Sequence, residues 1–367
     1  MVDKVKSEYN QNEIICNQCG AKLTFEPGTN SLKCQYCGAE NEIITEISEI
    51  QEIDYLSFIN NKVNDSNQIE IITVKCEACG AETTFDENVI AQTCDFCASP
   101  LLAKEGQSKK IIEPESILTF KITEKEGKDL FKTWIKKIWF APNDLKKYAY
   151  QKGKLNGIYL PYWTYDTSTT TQYKGQRGDD YQTTESYTNS KGESDTRTVT
   201  ETRWSSASGT VHNNFDDVLV VASKSLPEKY IYKLEPWDLE NLTNYNKKYL
   251  AGFKAESYGI GVEEGFGIAK DIMQYEIDST IRSDIGGDHQ RINSKNTDYQ
   301  DITFKHILLP IWLSAYRYNK KVYRFMINGR TGEVKGERPY SWIKITLAVI
   351  LAIAIISLIV YLADTYG

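Results

Sequence analysis

Every cysteine of this chain belongs to a Cys-x-x-Cys pair, and the four pairs form two copies of one pattern. In chain order the pairs are Cys16 with Cys19, Cys34 with Cys37, Cys76 with Cys79, and Cys94 with Cys97. Fourteen residues separate the two pairs within each copy, and each copy has a Thr-Phe step at the same offset, at Thr24 and at Thr84. The chain therefore contains the same cysteine-bearing unit twice.

This spacing is typical of metal sites. Two thiolates separated by two residues can bind one ion, and two such turns joined by a β-hairpin complete a tetrahedral Cys₄ site. The pattern predicts two tandem zinc ribbons, with all eight cysteines as ligands and two structural Zn²⁺ ions as cofactors. A closed set of four thiolates leaves no position for a reactive water, so we expect the metal to stabilise the fold rather than to catalyse a reaction.

Other uses of paired cysteines remain as alternatives. A disulfide framework belongs to an oxidising compartment, but the first eight residues lack the apolar segment of a secretory signal. A redox-active Cys-x-x-Cys is expected in a thioredoxin-like βαβ setting, which the sequence around these pairs does not resemble. An iron cluster held by four thiolates is the remaining alternative to zinc. We expect a reducing, cytoplasmic environment.

The charge pattern bears on the class of partner. The formal net charge is −7, and no lysine or arginine lies between Cys76 and Cys97. Only the first predicted ribbon is mildly basic, with Lys22 and Lys33 against Glu26. A protein that binds nucleic acid needs basic side chains to neutralise phosphates. The charge pattern therefore argues against a nucleic-acid partner, although a replication or primosome-like role stays as an alternative function.

An apolar segment lies near the C-terminus. No charged residue occurs from Ile345 to Leu362, and an eighteen-residue helix spans about 27 Å, enough for a bilayer core. Trp342 and Tyr361 flank the segment as interfacial anchors do. Basic residues precede the segment and one acidic residue follows it: Lys335, Arg338, Lys344 and then Asp364. We predict a single transmembrane helix over 342–362, with the main domains in the cytoplasm.

The remaining chain predicts an α+β domain with an antiparallel sheet over 104–340. Apolar periodicity predicts helices from about Thr123 to Trp139 and from Glu264 to Ile285, and aromatic residues predict a strand over Gly157–Asp166. A Leu-Pro step occurs at Leu160 and again at Leu309. We interpret this as an internal duplication, with coincidence as the alternative.

The segment near 167–211 is rich in threonine, serine and tyrosine. Its alternating stretches predict a long polar β-hairpin, with disorder as the alternative. Shorter predictions are a strand over Ile117–Ile122, a helix within Leu234–Leu242, and a lysine-bearing linker from Lys104 to Lys110.

The complete prediction is a multidomain protein. Residues 1–40 form the first ribbon, 41–70 an acidic helical linker with a helix from Glu42 to Val63, and 71–103 the second ribbon. The α+β domain and the transmembrane helix follow.

The sequence contains few features of an active site. It has no P-loop, no GxSxG and no HExxH, and no cysteine is left over as a nucleophile. The three histidines, His212, His289 and His306, are isolated in sequence. One loop, Asp284–Asp288, could bring carboxylates together, but a helix end with polar capping is the simpler interpretation. We predict that the protein is not an enzyme and keep a membrane-bound enzyme as a second alternative.

Taken together, these motifs resemble a family of bacterial membrane-anchored proteins with two zinc ribbons of the TFIIB type. The motifs that carry the resemblance are the paired Cys-x-x-Cys-Gly-Ala ribbons, Leu160–Asp166, Tyr173–Gly178, Asp284–Asp288, Lys305–Trp312, Asn328–Glu333 and Glu337–Ser341. Members are often labelled primosomal protein N′-like, helicase-like or phage-replication-like, a label that rests on the ribbons alone. The resemblance covers nearly the whole chain.

The resemblance implies a function in membrane maintenance or stress response. Some relatives act with a flotillin-like SPFH protein and a phage-shock-type protein, which makes these the expected protein partners, beside the lipid bilayer. The eight cysteines match the family's metal ligands, and the resemblance supplies no catalytic residue. We therefore expect a non-enzymatic scaffold that presents docking surfaces in the cytoplasm.

Overall fold

Three very long strands organise the structure. The computed structural model describes residues 14–44, 50–60, 68–84, 91–97, 99–102, 107–142, 155–188, 190, 192–318 and 321–366. The strands are β1 (Leu23–Phe25), β2 (Ser31–Cys34), β3 (Glu40–Glu42), β4 (Ile53–Asp54), β5 (Gln68–Lys75), β6 (Glu82–Thr84), β7 (Ala91–Thr93), β8 (Pro100–Leu102), β9 (Gln107–Ile112), β10 (Ser116–Ile117), β11 (Asn156–Thr188), β12 (Ser194–Val221), β13 (Thr243–Asn244), β14 (Lys254–Ala255), β15 (His289–Tyr318), β16 (Lys321–Asn328) and β17 (Val334–Gly336). The helices are α1 (Tyr55–Asn60), α2 (Glu124–Lys137), α3 (Glu228–Ile231), α4 (Val262–Ile285) and α5 (Trp342–Tyr366), with 3₁₀ turns at Tyr232–Leu234, Leu239–Asn241 and Lys247–Leu250.

The long strands β11, β12 and β15 contain 33, 28 and 30 residues and lie side by side with β11 in the middle. We call residues 167–216 and 289–302, the part of these strands beyond Asp166, the arm. Its inner part has three strands, and beyond Gly178 only β11 and β12 remain paired, out to Thr188 opposite Ser194. At about 3.3 Å per residue, the 22 residues from Thr167 to Thr188 extend about 70 Å. The described residues of this segment form the polar hairpin that the sequence predicts near 167–211.

The sheet domain is built from two equivalent halves. Each half runs strand, helix, long strand, return strand, as β10-α2-β11-β12 and then as β14-α4-β15-β16. The Leu-Pro steps of the two halves face each other, with Leu160 paired directly to Leu309. The first strand of each half pairs in parallel with the long strand of the other half, β10 with β15 and β14 with β11. The structure therefore supports the internal duplication, and it makes the sheet mixed rather than purely antiparallel.

The two prolines lie where a long strand changes neighbours. On its outer side, β11 pairs with β14 up to Tyr159 and with β12 from Tyr162 onward, so Pro161 falls in the gap. Pro310 falls in the matching gap of β15, between β10 and β16. Proline has no N–H to donate to a neighbouring strand, and these are positions at which none is needed. The carbonyls of Pro161 and Pro310 accept equivalent hydrogen bonds, from the N–H groups of Ala222 (3.0 Å) and Gly329 (2.9 Å).

Two helices cover one face of the sheet. The N-terminus of α2 is fixed by a capping box between Thr123 and Glu126, and Phe131, on its buried face, stacks on Phe325 of β16. Helix α4 packs along the arm through residues at four-residue spacing, Met273, Ile277, Ile281 and Ile285. It ends at Gly286 and Gly287, both with positive φ. Both predicted helices are confirmed to within three residues at each end.

The two cysteine-bearing units pack on opposite faces of the sheet. We call residues 14–44 the first module and the described residues between 68 and 112 the second module. The first module shares a core cluster with Tyr159, and the second shares one with Ile158 and Leu160. Because neighbouring residues of a strand point to opposite faces, the modules lie on either side of β11. Neither module is therefore a separate unit connected to the sheet domain by a linker alone.

Several shorter predictions are wrong. The predicted helix from Glu42 to Val63 is replaced at Ile53–Asp54 by β4, which pairs with Thr303 and Phe304 of β15. Among the described residues of this range, Tyr55–Asn60 is the helical part, and residues 45–49 and 61–67 lie outside the described residues. The free edge of β15 offers backbone hydrogen bonds that outweigh local helical preference.

Three other boundaries also change. The strand expected over Ile117–Ile122 is confined to Ser116–Ile117, and Leu234–Leu242 forms 3₁₀ turns rather than a helix. The described part of the predicted linker, from Gln107, belongs to β9, which pairs with β5 over its whole length. The second module therefore extends to Ile112, beyond the predicted boundary at residue 103.

Candidate metal centres

Each module brings its four cysteines together. In the first module the Sγ atoms of Cys16 and Cys37 lie 3.5 Å apart, as do those of Cys19 and Cys34. In the second module the Sγ distances are 3.5 Å between Cys76 and Cys97 and 3.7 Å between Cys79 and Cys94. Within each group all four sulfurs lie within 4.8 Å of one another.

These distances fit a metal and not a disulfide. Four sulfurs bound tetrahedrally at about 2.3 Å from one ion lie about 3.8 Å apart, whereas bonded sulfurs lie about 2.0 Å apart. All eight cysteines are free thiols in the structure. Each module can therefore hold one metal ion, and the predicted ligand sets are brought together as the sequence indicated.

The backbone of the Cys-x-x-Cys-Gly-Ala turns explains why the sulfurs converge. In the turn that begins at Cys16, the N–H of Gly20 donates to the carbonyl of Cys16 (2.9 Å), and the N–H of Cys16 donates to the carbonyl of Ala21 (2.7 Å). The same two bonds recur around Cys34 and around Cys76. Gly20 has φ of +70°, which an L-residue with a side chain rarely adopts. The glycine after the second cysteine is therefore part of the site's geometry.

Backbone N–H groups also favour the thiolate form. The N–H groups of Cys37 and Tyr36 point at the sulfur of Cys34 and lower the pKa of that thiol to about 6. The N–H of Ala21 acts in the same direction on Cys19, but the neighbouring sulfurs of Cys34 and Cys37 raise the pKa of Cys19 to about 12. Four thiolates repel one another, and a bound cation would relieve that repulsion.

The second module is tied to the sheet domain beside its cysteines. Phe96 lies between Cys94 and Cys97, is buried, and its carbonyl accepts a hydrogen bond from Nε of Arg324 (2.7 Å). Asp95 is also buried and pairs with Nζ of Lys254 at 2.7 Å. Asp95 belongs to the segment from Cys76 to Cys97 that contains no lysine or arginine, but Lys254 matches its charge within the fold.

A third group of carboxylates lies at the base of the arm, and no motif in the sequence predicted it. One carboxylate oxygen each from Asp166, Asp216 and Asp217 lies within 4.8 Å of the others. Two β-bulges create the cluster, since β12 and β15 each carry one extra residue opposite β11 here. Asp217 and Asp301, in these bulges, have φ of +52° and +51°. The only signal in the sequence was an aspartate directly after an aromatic residue, at Asp166 and again at Asp216.

A lysine ammonium lies within hydrogen-bond or ion-pair distance of this third group. Nζ of Lys305, which is buried, lies 2.7 Å from Oδ1 of Asp217, 3.1 Å from Oε1 of Glu52 and 3.9 Å from Oδ2 of Asp166. Burial by itself would lower the pKa of Lys305, but Asp217 and the other carboxylates raise it to about 12. Burial raises the pKa of Asp166 to about 7. The ammonium group supplies the positive charge that a metal ion would otherwise bring, so this is an ion-pair network.

The loop Asp284–Asp288 does not bring its carboxylates together. Oδ2 of Asp284 accepts a hydrogen bond from the Tyr173 hydroxyl (2.5 Å), and Oδ2 of Asp288 accepts one from the N–H of Asp180 (2.8 Å). Asp180 also pairs with Nε2 of His289 at 3.1 Å. These bonds fasten the end of α4 to the arm.

The three histidines do not lie together in one site. His212 contacts Thr170 (3.1 Å) on the arm, His289 pairs with Asp180 near the end of α4, and His306 is buried in the sheet. Among the described residues, no group of potential metal ligands contains a histidine.

The most apolar part of the C-terminal helix is exposed in the described structure. Of the residues that the structure describes, one helix is long and apolar enough to cross a membrane, at Trp342–Thr365, with a mean hydropathy of 3.0 and none of its most apolar window buried. The described chain thus combines two closed four-cysteine groups, a duplicated sheet domain that holds them, and an exposed apolar helix that could span a bilayer.

A protein of Bacillus subtilis (strain 168), named "Uncharacterized protein YdjG", is similar to this chain. The two are 27% identical over 327 residues, which cover 89% of this chain and 89% of the relative. No family model matches the chain, and no solved structure matches it. The similarity thus extends over most of both proteins.

Proposed function

We propose that this protein is a non-enzymatic, membrane-anchored zinc-binding scaffold that presents protein-docking surfaces in the cytoplasm. The observation that carries the proposal is that the apolar helix and the arm lie at opposite ends of one sheet domain. The apolar helix α5 begins at one end of the sheet domain, and the arm projects from the opposite end.

The strand order supports this placement. β15 runs from the arm, at His289, toward the other end of the sheet. β17 runs in the same direction, pairing with Phe325–Ile327, and the N–H of Glu337 continues the pattern by donating to the carbonyl of Arg324 (2.7 Å). Trp342, where α5 begins, follows five residues later. With α5 in a bilayer, the arm would extend away from the membrane.

The metal sites fit a structural role. Each group offers four cysteine sulfurs and so leaves no open position for a substrate or water. Thiolates at Cys-x-x-Cys spacing select zinc over harder cations, and a small module with a limited core relies on that metal for its fold. We infer one structural Zn²⁺ in each module.

The partners are proposed from the resemblance given above. A flotillin-like SPFH protein is the first to test, followed by a phage-shock-type protein, in a role in membrane maintenance or stress response. The arm is the docking surface we favour, because its outer part is a polar two-stranded ribbon with many exposed residues.

Affinity purification from solubilised membranes tests the scaffold. Four baits are compared: the full-length protein, a version that ends before Trp342, a version with residues 181–202 replaced by a short turn, and Cys34→Ser. We expect the full-length protein to recover an SPFH protein, the truncated version to lose membrane association, and the arm deletion to lose the partner while staying in the membrane. Equal recovery by all four baits would sink the proposal.

The two alternatives have their own tests. A nucleic-acid factor would bind DNA or RNA with a steep dependence on salt, and we expect no binding at low salt from an acidic protein. An enzyme would use the network of Asp166, Asp217 and Lys305. These titratable side chains lie outside the cysteine modules, and the described structure brings them together. Retention of partner recovery by Lys305→Met, if the variant folds, would argue for the scaffold.

A further inference from the structure

The segment that follows α2 is fastened to the first turn of α5. The N–H of Ser341 donates to the carbonyl of Phe140 (2.7 Å). Nζ of Lys344 donates to the carbonyls of Trp139 (3.1 Å) and Ala141 (2.7 Å). Three hydrogen bonds thus hold residues 139–141 beside the start of the apolar helix.

Large apolar side chains are exposed on both sides of this junction. Trp139 is 75% exposed and stacks on Phe140, with ring centroids 6.0 Å apart. On α5, Trp342 is 79% exposed and Ile343 is 75% exposed. We call these four residues the junction patch. A soluble surface rarely groups so many large apolar side chains, so the patch indicates a contact with another phase or partner.

The depth of the patch follows from the length of α5. The uncharged run begins at Ile345 and spans about 27 Å, which fills the hydrocarbon core. The preceding turn, Trp342–Lys344, then lies at the level of the lipid headgroups. Since Trp139 is bonded to Lys344 of this turn and Phe140 is bonded to Ser341 directly before it, both lie at the same level. Tryptophan is enriched at that depth because its ring is apolar while its N–H can be hydrated.

The charges beside the patch fit the same surface. The last turn of α2 carries Lys136 and Lys137, both exposed, and Arg338 is exposed just before α5. Basic side chains next to a membrane are attracted to anionic lipid headgroups. Contact with a protein partner would not require the junction patch to lie at headgroup depth beside a membrane-spanning helix.

We propose that Trp139 and Phe140 form a second membrane contact, inserted among anionic lipid headgroups beside α5. The inference rests on the proposed membrane anchor. Its consequence is orientation: a single helix lets a domain swivel, whereas two contacts fix the sheet relative to the bilayer and hold the arm outward.

Quenching of tryptophan fluorescence by brominated lipid tests the contact. The full-length protein is reconstituted into vesicles of phosphatidylcholine and phosphatidylglycerol whose acyl chains carry bromine near the headgroup. The chain contains seven tryptophans. We compare the wild type with Trp139→Phe, with Trp342→Phe as the control for the anchor and with Trp204→Phe, on the arm, as the control for distance.

We expect Trp139→Phe and Trp342→Phe each to lose a similar part of the quenchable emission, and Trp204→Phe to lose none. Phe140→Trp should add quenchable emission. If Trp342 is quenched but Trp139 is not, the second contact is refuted and the anchor stands. If neither is quenched, the anchor itself fails.

Lipid charge gives an independent measure. Replacing phosphatidylglycerol with phosphatidylcholine should weaken the quenching of Trp139 and leave that of Trp342 unchanged. The double variant Lys136→Gln/Lys137→Gln should reproduce that loss in anionic vesicles. Equal quenching of Trp139 in both lipids would overturn the role of the anionic headgroups.

Discussion

Trp163 and Trp312 make the same hydrogen bond in the two halves of the sheet domain. Nε1 of Trp163 donates to the carbonyl of Ile260, and Nε1 of Trp312 donates to the carbonyl of Ile122, both at 2.8 Å. Each acceptor directly precedes the N-cap residue of a helix that belongs to the other half. The halves are therefore interlocked, so neither is expected to fold independently.

The two tryptophans should be energetically equivalent. Trp163→Phe and Trp312→Phe each remove the donor and leave a carbonyl with one partner fewer, so we expect each to lower the free energy of unfolding by about 2 kcal/mol. Urea unfolding of the detergent-solubilised protein measures this. Trp204→Phe on the arm serves as the control, with an effect below about 0.5 kcal/mol. A large loss at only one of the two positions would contradict the equivalence.

Metal content should follow the two cysteine groups. We expect two zinc ions per chain by elemental analysis, one after Cys34→Ser and one after Cys76→Ser, because each substitution removes a ligand from one closed group. Tyr36→Ser is a matched control, since Tyr36 lies between two ligands but is exposed. A full complement of two ions in either cysteine variant would show that the groups do not bind metal as proposed.

The close packing of α4 on β11 predicts opposite effects on stability for two glycine substitutions in α4. A Cβ at Gly265 would lie 2.4 Å from Oη of Tyr165 and 2.9 Å from Cδ1 of Trp163, whereas a Cβ at Gly267 meets nothing within 4 Å. We expect Gly265→Ala to destabilise the protein by about 2 kcal/mol through overpacking. Gly267→Ala should stabilise it by up to about 1 kcal/mol through helix propensity. Thermal unfolding of the two variants checks both signs.

A buried carboxyl should make stability depend on pH. Oε2 of Glu115 accepts a hydrogen bond from the N–H of His306 (2.6 Å), and burial raises the pKa of Glu115 from its ordinary 4.5 to about 7. Between these values the folded protein keeps a proton that the unfolded chain has released. The contribution of Glu115 to stability is therefore present below pH 4.5 and is lost as the pH rises through 7.

Glu115→Gln should remove that dependence. Relative to the wild type, the variant's free energy of unfolding should increase by up to about 3 kcal/mol between pH 5 and pH 8. His306 acts in the opposite direction, because burial lowers its pKa from 6.5 to about 4, but it is present in both proteins and cancels. Urea unfolding at four pH values measures the difference, and a constant offset would count against the buried, raised carboxyl.

Local signals in the sequence were reliable where one segment determines its own structure. The spacing of the cysteines predicted both ligand groups, because two residues between thiols, and in three of the four pairs a glycine after them, fix the turn. Helix α2 was predicted from its apolar face, and in the structure a capping box between Thr123 and Glu126 fixes its start. The polar hairpin was predicted from alternation of threonine and tyrosine, which favours strands even without an apolar face.

Predictions were wrong or incomplete where a distant edge or face decided the outcome. Ile53 and Asp54 looked helical, but the edge of β15 converts them to a strand. The cluster of Asp166, Asp217 and Lys305 joins residues from three strands, and the bulges that align them have no local signature. The modules were predicted as separate units, yet each is packed into a core that the sheet supplies.

The sequence by itself determined the two closed cysteine groups, the apolar C-terminal helix and the repeated Leu-Pro step, because each depends on residues close together in the chain. Only the tertiary structure decided how these parts are arranged. The exchange of first strands between the two halves, and the placement of the arm opposite α5, depend on pairings between strands that are far apart in the chain, such as Ile158 with Lys254 and Ser116 with Ile307. Such pairings are selected by the free energy of the whole sheet and by no single segment.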